Sequence, residues 1–186
     1  MGTKFSTRVW VSVVGIASIF FGSKGYADTV ISVADFGLKP DTRENAVAYV
    51  QKAIEACRGK EPVTLVFPEG RYDFWPQYAH EKNYYETNTY DVFPKRLAML
   101  FEGLHNITVD GNGSQFVMHD RIQPITVENC DGVTLKNFSI DWDIPLTAQA
   151  RVTKVGSDFF EIEINVLESP YIIEDGKLVF VGEGWK

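Results

Sequence analysis

Cysteine is scarce in this sequence: 186 residues include only Cys57 and Cys130. Two cysteines are too few for a disulfide-rich scaffold, and their spacing is not that of a metal site. Whether they are bonded stays open, although we favour two free thiols. Basic residues are also in the minority, since 18 Lys and Arg stand against 25 Asp and Glu, for a formal net charge of −7. Nucleic-acid binding needs a basic surface, so we expect no nucleic-acid partner.

Histidine is also rare, and the three histidines, His80, His105 and His119, are scattered along the chain. This scatter favours neither a zinc site nor a Ser/His/Asp triad. A phosphate-binding glycine loop is absent from the sequence, and its acidic residues are not clustered densely enough to predict a calcium site. We therefore expect neither a metal nor another cofactor.

A long apolar run occurs only at the N-terminus. Lys4 and Arg8 precede an uncharged stretch, residues 9–22, which is followed by small residues at positions 25 and 27. This order is typical of a secretory signal peptide, and the run is shorter than the roughly 20 residues that span a bilayer. We predict a signal peptide over residues 1–27, cleaved near Ala27. The mature protein is then exported to the periplasm or extracellular space, without stable membrane insertion.

The first part of the mature chain predicts a strand, an amphipathic helix and two further strands. Asp41 and Glu44 have the spacing of a capping box, which predicts that the helix begins at Asp41. Apolar residues then recur at helical spacing as far as Cys57, and Gly59 ends the pattern. The following runs, Val63–Phe67 and Arg71–Phe74, predict strands.

An internal repeat follows. Phe101–Gly111 aligns with Val127–Asn137 at an offset of 26, and each unit has short apolar strands around a turn rich in Gly, Asn and Asp. Such a period is typical of a solenoid, and strands this short suit a parallel β-helix. We expect the helix to cover the open end of this solenoid, because an uncovered coil exposes strand edges.

The last forty or so residues change character. Alternating segments at 149–155, 159–164 and 177–181 predict antiparallel hairpins. We predict a cap and first coils over residues 28–146 and the start of an antiparallel β insert over 147–186. Because a solenoid needs about three or more repeats and two caps, we expect the sequence to be the N-terminal part of a longer protein.

The segment from Val33 through the helix to Tyr72 resembles the N-terminal cap of pectate-lyase-like, right-handed parallel β-helix proteins. Further segments resemble glycoside hydrolase family 110; these are residues 72–78, 81–88, 94–97, 107–113 and 137–142. The resemblance implies an all-β fold: a right-handed parallel β-helix (solenoid) with an N-terminal capping α-helix and the start of an inserted antiparallel β-domain.

The same resemblance implies an exported exo-α-galactosidase that removes terminal α-1,3-linked galactose, as in blood group B and linear α-Gal glycans. That family inverts the anomeric centre and needs no metal. Its chains are longer than this one, so we expect the catalytic carboxylates beyond Lys186 and the present chain alone to be inactive. The expected partner is a glycan with terminal galactose, and the oligomeric state stays open.

Within the chain, Asp141 and Asp143 are the candidate catalytic pair. An inverting glycosidase needs two carboxyl groups roughly 6.5–9.5 Å apart, and two residues on one face of a strand are about 6.5–7 Å apart. A solvated turn is the alternative interpretation of this segment. Candidate substrate-binding residues are Trp75, Tyr78, Tyr84 and Trp142, whose rings could stack on sugars or simply pack against the solenoid.

Two other functions stay open from the sequence. One is another β-helix enzyme, such as a polygalacturonase-like pectinase, although the acidic composition provides little basic surface for an acidic polymer. The other is a non-catalytic, carbohydrate-binding β-helix. Release of free galactose would identify the galactosidase, and binding of the glycan without turnover would identify the carbohydrate-binding protein.

Overall fold

The structure is a computed structural model that describes residues 29–84 and 94–185. The predicted signal peptide lies outside these residues. The described part contains a short 3₁₀ helix, an α-helix and twelve strands, with these bounds: β1 Thr29–Ser32, 3₁₀ Val33–Phe36, α1 Val47–Cys57, β2 Val63–Val66, β3 Arg71–Phe74, β4 His80–Lys82, β5 Lys95–Glu102, β6 His105–Met118, β7 Gln123–Glu128, β8 Asp131–Trp142, β9 Arg151–Val155, β10 Phe160–Glu163, β11 Tyr171–Glu174 and β12 Lys177–Phe180.

Helix α1 begins later than the capping pattern predicts. The Asp41 carboxylate accepts a hydrogen bond from the Arg71 backbone N–H at 2.9 Å, so it is not available to cap a helix. Asp41 also has a positive φ of 61°. The N-cap position is Ala46, and the side-chain oxygen of Asn45, one residue earlier, accepts the Val47 N–H at 3.1 Å. The predicted start at Asp41 is therefore wrong, while the helix ends near Gly59 as expected.

The apolar face of α1 closes one side of the core. Its buried residues are Val47, Val50, Ala53, Ile54 and Cys57. The helix packs against β1, β2 and β5, whose inward side chains are also apolar. Burial of such side chains contributes about 1.5–3 kcal/mol each relative to exposure, so this face stabilises the start of the sheet.

Parallel pairing dominates the middle of the chain. Strand β1 pairs with β2, β2 with β6, and β6 with both β3 and β8, while β5 pairs with β7. In the first part of the β6–β8 pair, Ile107 pairs with Val133, and in the β5–β7 pair, Phe101 pairs with Val127. Both pairings have the offset of 26 residues that the sequence repeat predicts. The described sheets are small and open. The all-β class is confirmed, and the solenoid stays a prediction.

Aromatic rings fill the core between the parallel strands. Phe116 lies 4.7 Å from Phe67 and 5.7 Å from Phe74 between ring centroids, and it stacks on Phe138 at 4.8 Å. Phe67, Phe74 and Phe116 are fully buried, and Phe138 packs against them from β8. The packed rings hold β3, β6 and β8 side by side.

Antiparallel hairpins follow the parallel strands. Strand β9 pairs with β10, and β11 pairs with β12. Between β11 and β12, Asp175 and Gly176 have φ angles of 52° and 72°, the backbone of a two-residue hairpin turn. The hairpins agree with the antiparallel part of the predicted fold, whereas the domain boundary near residue 147 stays a prediction. Within residues 29–84 and 94–185, no helix is long and apolar enough to cross a membrane.

Candidate functional site

Three parallel strands end at the same level of the sheet. Phe74 at the end of β3 pairs with Met118 of β6, which in turn pairs with Trp142 of β8. The residues that directly follow are Trp75, His119 and Asp143. Backbone hydrogen bonds continue the ladder one step further, from His119 N–H to the Phe74 carbonyl at 3.0 Å and from Asp143 N–H to the Met118 carbonyl at 3.1 Å.

His119 lies at the centre of this edge and is 2% exposed. Its Nε2 is 2.8 Å from Asp73 Oδ1, and its Nδ1 is 2.8 Å from Glu183 Oε1. The imidazole stacks on the indole of Trp75, with centroids 3.8 Å apart and planes 6° apart. Both ring nitrogens and one ring face are thus held by the protein.

Arg71 connects two carboxylates next to this histidine. Its Nη2 is 2.5 Å from Asp73 Oδ1 and 2.7 Å from Asp143 Oδ1. Burial alone would raise the pKa of Asp73, but hydrogen bonds from Arg71 and His119 outweigh it and hold that pKa below its ordinary value of 3.8. The hydrogen bond to Asp73 in turn raises the pKa of Arg71. Asp73 is therefore ionised at neutral pH.

His119, Asp143 and Glu183 offer ligand atoms that lie within 4.8 Å of one another. This donor set could hold a cation, but its ligand atoms are already engaged, with Arg71 or with one another. Arg71 supplies a positive charge to Asp143, and His119 Nδ1 is hydrogen-bonded to Glu183. A divalent ion would have to displace these contacts, so the geometry does not require one.

A cavity of about 570 Å³ opens beside the stacked rings. Its wall combines aromatic rings, carboxylates, an amide and a guanidinium; the polar and aromatic members are Trp75, Gln77, Tyr78, Glu81, Arg96, Asp120 and Glu183. Its volume falls in the range usual for small-molecule sites. Flat rings beside charged hydrogen-bonding groups suit a ligand with apolar faces and hydroxyl edges.

The far wall of the cavity depends on a glycine. A Cβ placed on Gly184 would lie 2.7 Å from Asp120 Cγ, so a larger residue would collide with that carboxylate. Gly184 also has a φ of 74°, a conformation that favours glycine. The Asp120 backbone N–H donates to Glu183 Oε2 at 3.2 Å. Asp120 and the segment at 183–184 therefore form one wall.

Four of the candidate residues lie at or next to this site. Trp75 and Tyr78 line the cavity, and Tyr78 is 74% exposed. Trp142 is half-buried and its Nε1 donates to the Asp120 carbonyl at 3.1 Å, so it supports the wall from behind. Asp143 is ion-paired with Arg71 as described above.

The structure does not place the other two candidates in the cavity wall. Asp141 is exposed and accepts a hydrogen bond from the Trp142 backbone N–H at 2.8 Å. Tyr84 donates its hydroxyl to Glu128, whose other partner, Lys82, lies 2.8 Å away. These contacts, that of Lys82 first, lower the pKa of Glu128.

Several site residues were missed by the sequence interpretation. They are Arg71, Asp73, His119, Asp120 and Glu183. The alternation at positions 71–73 does put two opposite charges on one face of a strand, which was a usable signal. The contact between His119 and Glu183 joins residues 64 positions apart, and no local pattern indicates it.

Comparison with known proteins identifies one matching family model and several relatives of this chain. Residues 148–186 match the family model described as GLAA-B beta-barrel domain I. The chain is 62% identical to alpha-1,3-galactosidase B of Bacteroides thetaiotaomicron over 86% of its own length and 26% of that protein. It is 37% identical to alpha-1,3-galactosidase A of Shewanella woodyi, over 84% of the chain and 26% of that protein. It is 35% identical to alpha-1,3-galactosidase B of Phocaeicola vulgatus, over 95% of the chain and 28% of that protein.

These relatives are glycoside hydrolases by name. Within that class, the chain is a homologue of the α-1,3-galactosidases, which confirms the resemblance seen in the sequence. The chain spans about a quarter of the length of the curated relatives it matches.

Proposed function

We propose that the protein containing this chain is an exo-acting glycoside hydrolase that removes terminal α-1,3-linked galactose from glycans of the blood group B and linear α-Gal type. The observation that carries the proposal is the 62% identity to an alpha-1,3-galactosidase B along 86% of the chain. The reaction is an inverting, metal-independent hydrolysis in which one carboxylic acid protonates the leaving oxygen and one carboxylate activates water. The reacting pair lies outside residues 29–84 and 94–185.

The proposal includes the finer architecture and the location of the protein. Residues 28–146 form the cap and first coils of a right-handed parallel β-helix, and residues 147–186 begin an antiparallel insert. The parallel pairing at an offset of 26 supports the coils, and the packing of α1 on the first strands supports its role as a cap. A signal peptide over residues 1–27 directs export.

The cavity beside His119 is proposed to bind a sugar of the glycan. Its indole and phenol rings can pack against the C–H face of a pyranose, while its carboxylates accept hydroxyl hydrogen bonds and Arg96 donates them. Hydrogen bonds with charged partners are stronger than neutral ones, which favours recognition of hydroxyl positions. Trp75 and Tyr78 are the substrate-binding residues in this arrangement.

The first test measures free galactose released from a blood group B trisaccharide by the complete gene product, secreted and purified. Release with inversion, unchanged by a chelator, is the expected result. Binding of the trisaccharide without release supports a carbohydrate-binding protein instead and overturns the hydrolase. Cleavage of polygalacturonate in place of the trisaccharide identifies a pectinase.

The second test addresses the cavity with two matched tyrosines. Tyr78→Ala removes a ring from the cavity wall, whereas Tyr84→Ala removes a ring that contacts Glu128 elsewhere. We expect Tyr78→Ala to raise KM about three- to tenfold, the effect of losing an aromatic contact. Tyr84→Ala should leave KM unchanged. Equal values of KM in both variants would exclude the cavity as the sugar site.

A further inference from the structure

We propose that His119 is a positioning residue: it fixes the indole plane of Trp75 in the cavity wall and thereby sets the affinity for the sugar. The inference rests on the proposed role of the cavity. It concerns a residue that never lines the cavity, and neither the family match nor the relatives' names assign it a role.

The first step is the stack itself. The two ring planes are within 6° of parallel and their centroids are 3.8 Å apart, so the imidazole covers one face of the indole. An indole on a loop after a strand can turn about two side-chain bonds, and a packed flat neighbour removes that freedom. Trp75 lines the cavity, so the position of His119 determines which surface Trp75 presents there.

The second step is what holds His119. Asp73 lies 2.8 Å from Nε2 and Glu183 lies 2.8 Å from Nδ1, on opposite sides of the ring. A partner on each ring nitrogen restrains rotation of the imidazole about its side-chain bonds, and the stack on Trp75 restrains its tilt. The backbone of His119 is also fixed, because its N–H continues the ladder between β3 and β6.

The third step is the support behind Asp73. Arg71 holds the Asp73 carboxylate through Nη2 and Nε, at 2.5 Å and 3.0 Å from Oδ1. The contacts therefore run in series from Arg71 to Asp73, then to His119, and finally to Trp75 in the cavity wall. Glu183 holds the imidazole from its other ring nitrogen, so His119 keeps its place behind Trp75.

The experiment uses the complete gene product, with KM and kcat measured on the blood group B trisaccharide. We expect His119→Ala to raise KM about tenfold, the upper range for one aromatic contact, with a smaller change in kcat. His119→Gln, which retains a planar amide and hydrogen-bonding groups, should restore part of the loss. His105→Gln, at an exposed histidine on β6, is the control and should leave KM unchanged.

A double-mutant cycle with Trp75→Ala separates positioning from general damage. If His119 acts through the indole, His119→Ala adds no further rise in KM once Trp75 is absent. Additive effects would overturn the proposal, because they mean that His119 acts by another route. Thermal unfolding of each variant, monitored by circular dichroism, identifies any variant that fails to fold. If His119→Ala fails to fold, His119→Gln replaces it in the double-mutant cycle.

Tryptophan fluorescence supplies a readout that does not depend on hydrolysis. The Trp75 contribution is the difference between the wild type and Trp75→Phe. We expect His119→Ala to make this contribution more accessible to acrylamide and to shift its emission to the red. If the wild type neither binds nor cleaves the trisaccharide, the proposed function is wrong. The fluorescence experiment still tests whether His119 fixes the indole of Trp75. Unchanged quenching in folded His119→Ala would overturn the role of His119.

Discussion

The guanidinium of Arg71 lies 2.7 Å from the carboxylate of Asp143, a residue 72 positions further along the chain. The same nitrogen contacts Asp73, so Arg71 joins β3 to the end of β8. Asp143 is thus held by a fixed cation beside the cavity, whereas the Asp141 carboxylate accepts a hydrogen bond from the backbone N–H of Trp142. The two carboxylates of the candidate pair have different environments, and each can be tested separately.

Asp143→Asn should weaken the ion pair with Arg71 and lower the free energy of unfolding by about 0.5–1 kcal/mol, the usual size for a partly exposed pair. Asp141→Asn is the control and should leave stability unchanged. We expect kcat for galactose release to change little in both variants, because the reacting pair lies elsewhere in our proposal. A fall in kcat of about 10²-fold or more for Asp143→Asn would show general acid–base catalysis by this residue.

Local patterns predicted the elements well and the site poorly. The offset of 26 was readable because the turn residues repeat, and Ile107 does pair with Val133. The start of α1 was misplaced because Asp41 bonds to a residue on β3, which the local sequence does not reveal. The contacts of His119 depend on strand register over long separations, and that register is set by packing of the whole core.

Gly184→Ala tests the far wall of the cavity. The new Cβ would lie 2.7 Å from Asp120 Cγ, so the carboxylate or the 183–184 segment must move. Overpacking of this kind costs about 1–3 kcal/mol of unfolding free energy, and we expect a raised KM as well. Gly176→Ala is a matched control, since its φ of 72° is similar and nothing lies within 4 Å of the added Cβ. Equal losses of stability and equal KM values in both variants would contradict the predicted collision.

The pKa of Asp73 predicts how stability depends on pH. Hydrogen bonds from Arg71 and His119 lower this pKa against the effect of burial, so the folded state favours the carboxylate. The stabilisation is fully present above the ordinary pKa of 3.8 and is lost as the pH falls through the lower folded pKa. The difference in unfolding free energy between the wild type and Asp73→Asn should therefore shrink below pH 3.8. Urea denaturation at several pH values measures it, and a pH-independent difference would refute the linkage.

The thiol of Cys57 should be unreactive in the folded protein. Burial raises its pKa to about 11, and its S–H lies 3.3 Å from the Ala53 carbonyl in α1. Because the thiolate is the nucleophile, alkylation by iodoacetamide at neutral pH requires the helix to open. In a Cys130→Ser variant, which leaves Cys57 as the single cysteine of this chain, mass spectrometry should detect labelling only after denaturation. Native labelling at the denatured rate would show that α1 does not cover the core as the structure describes.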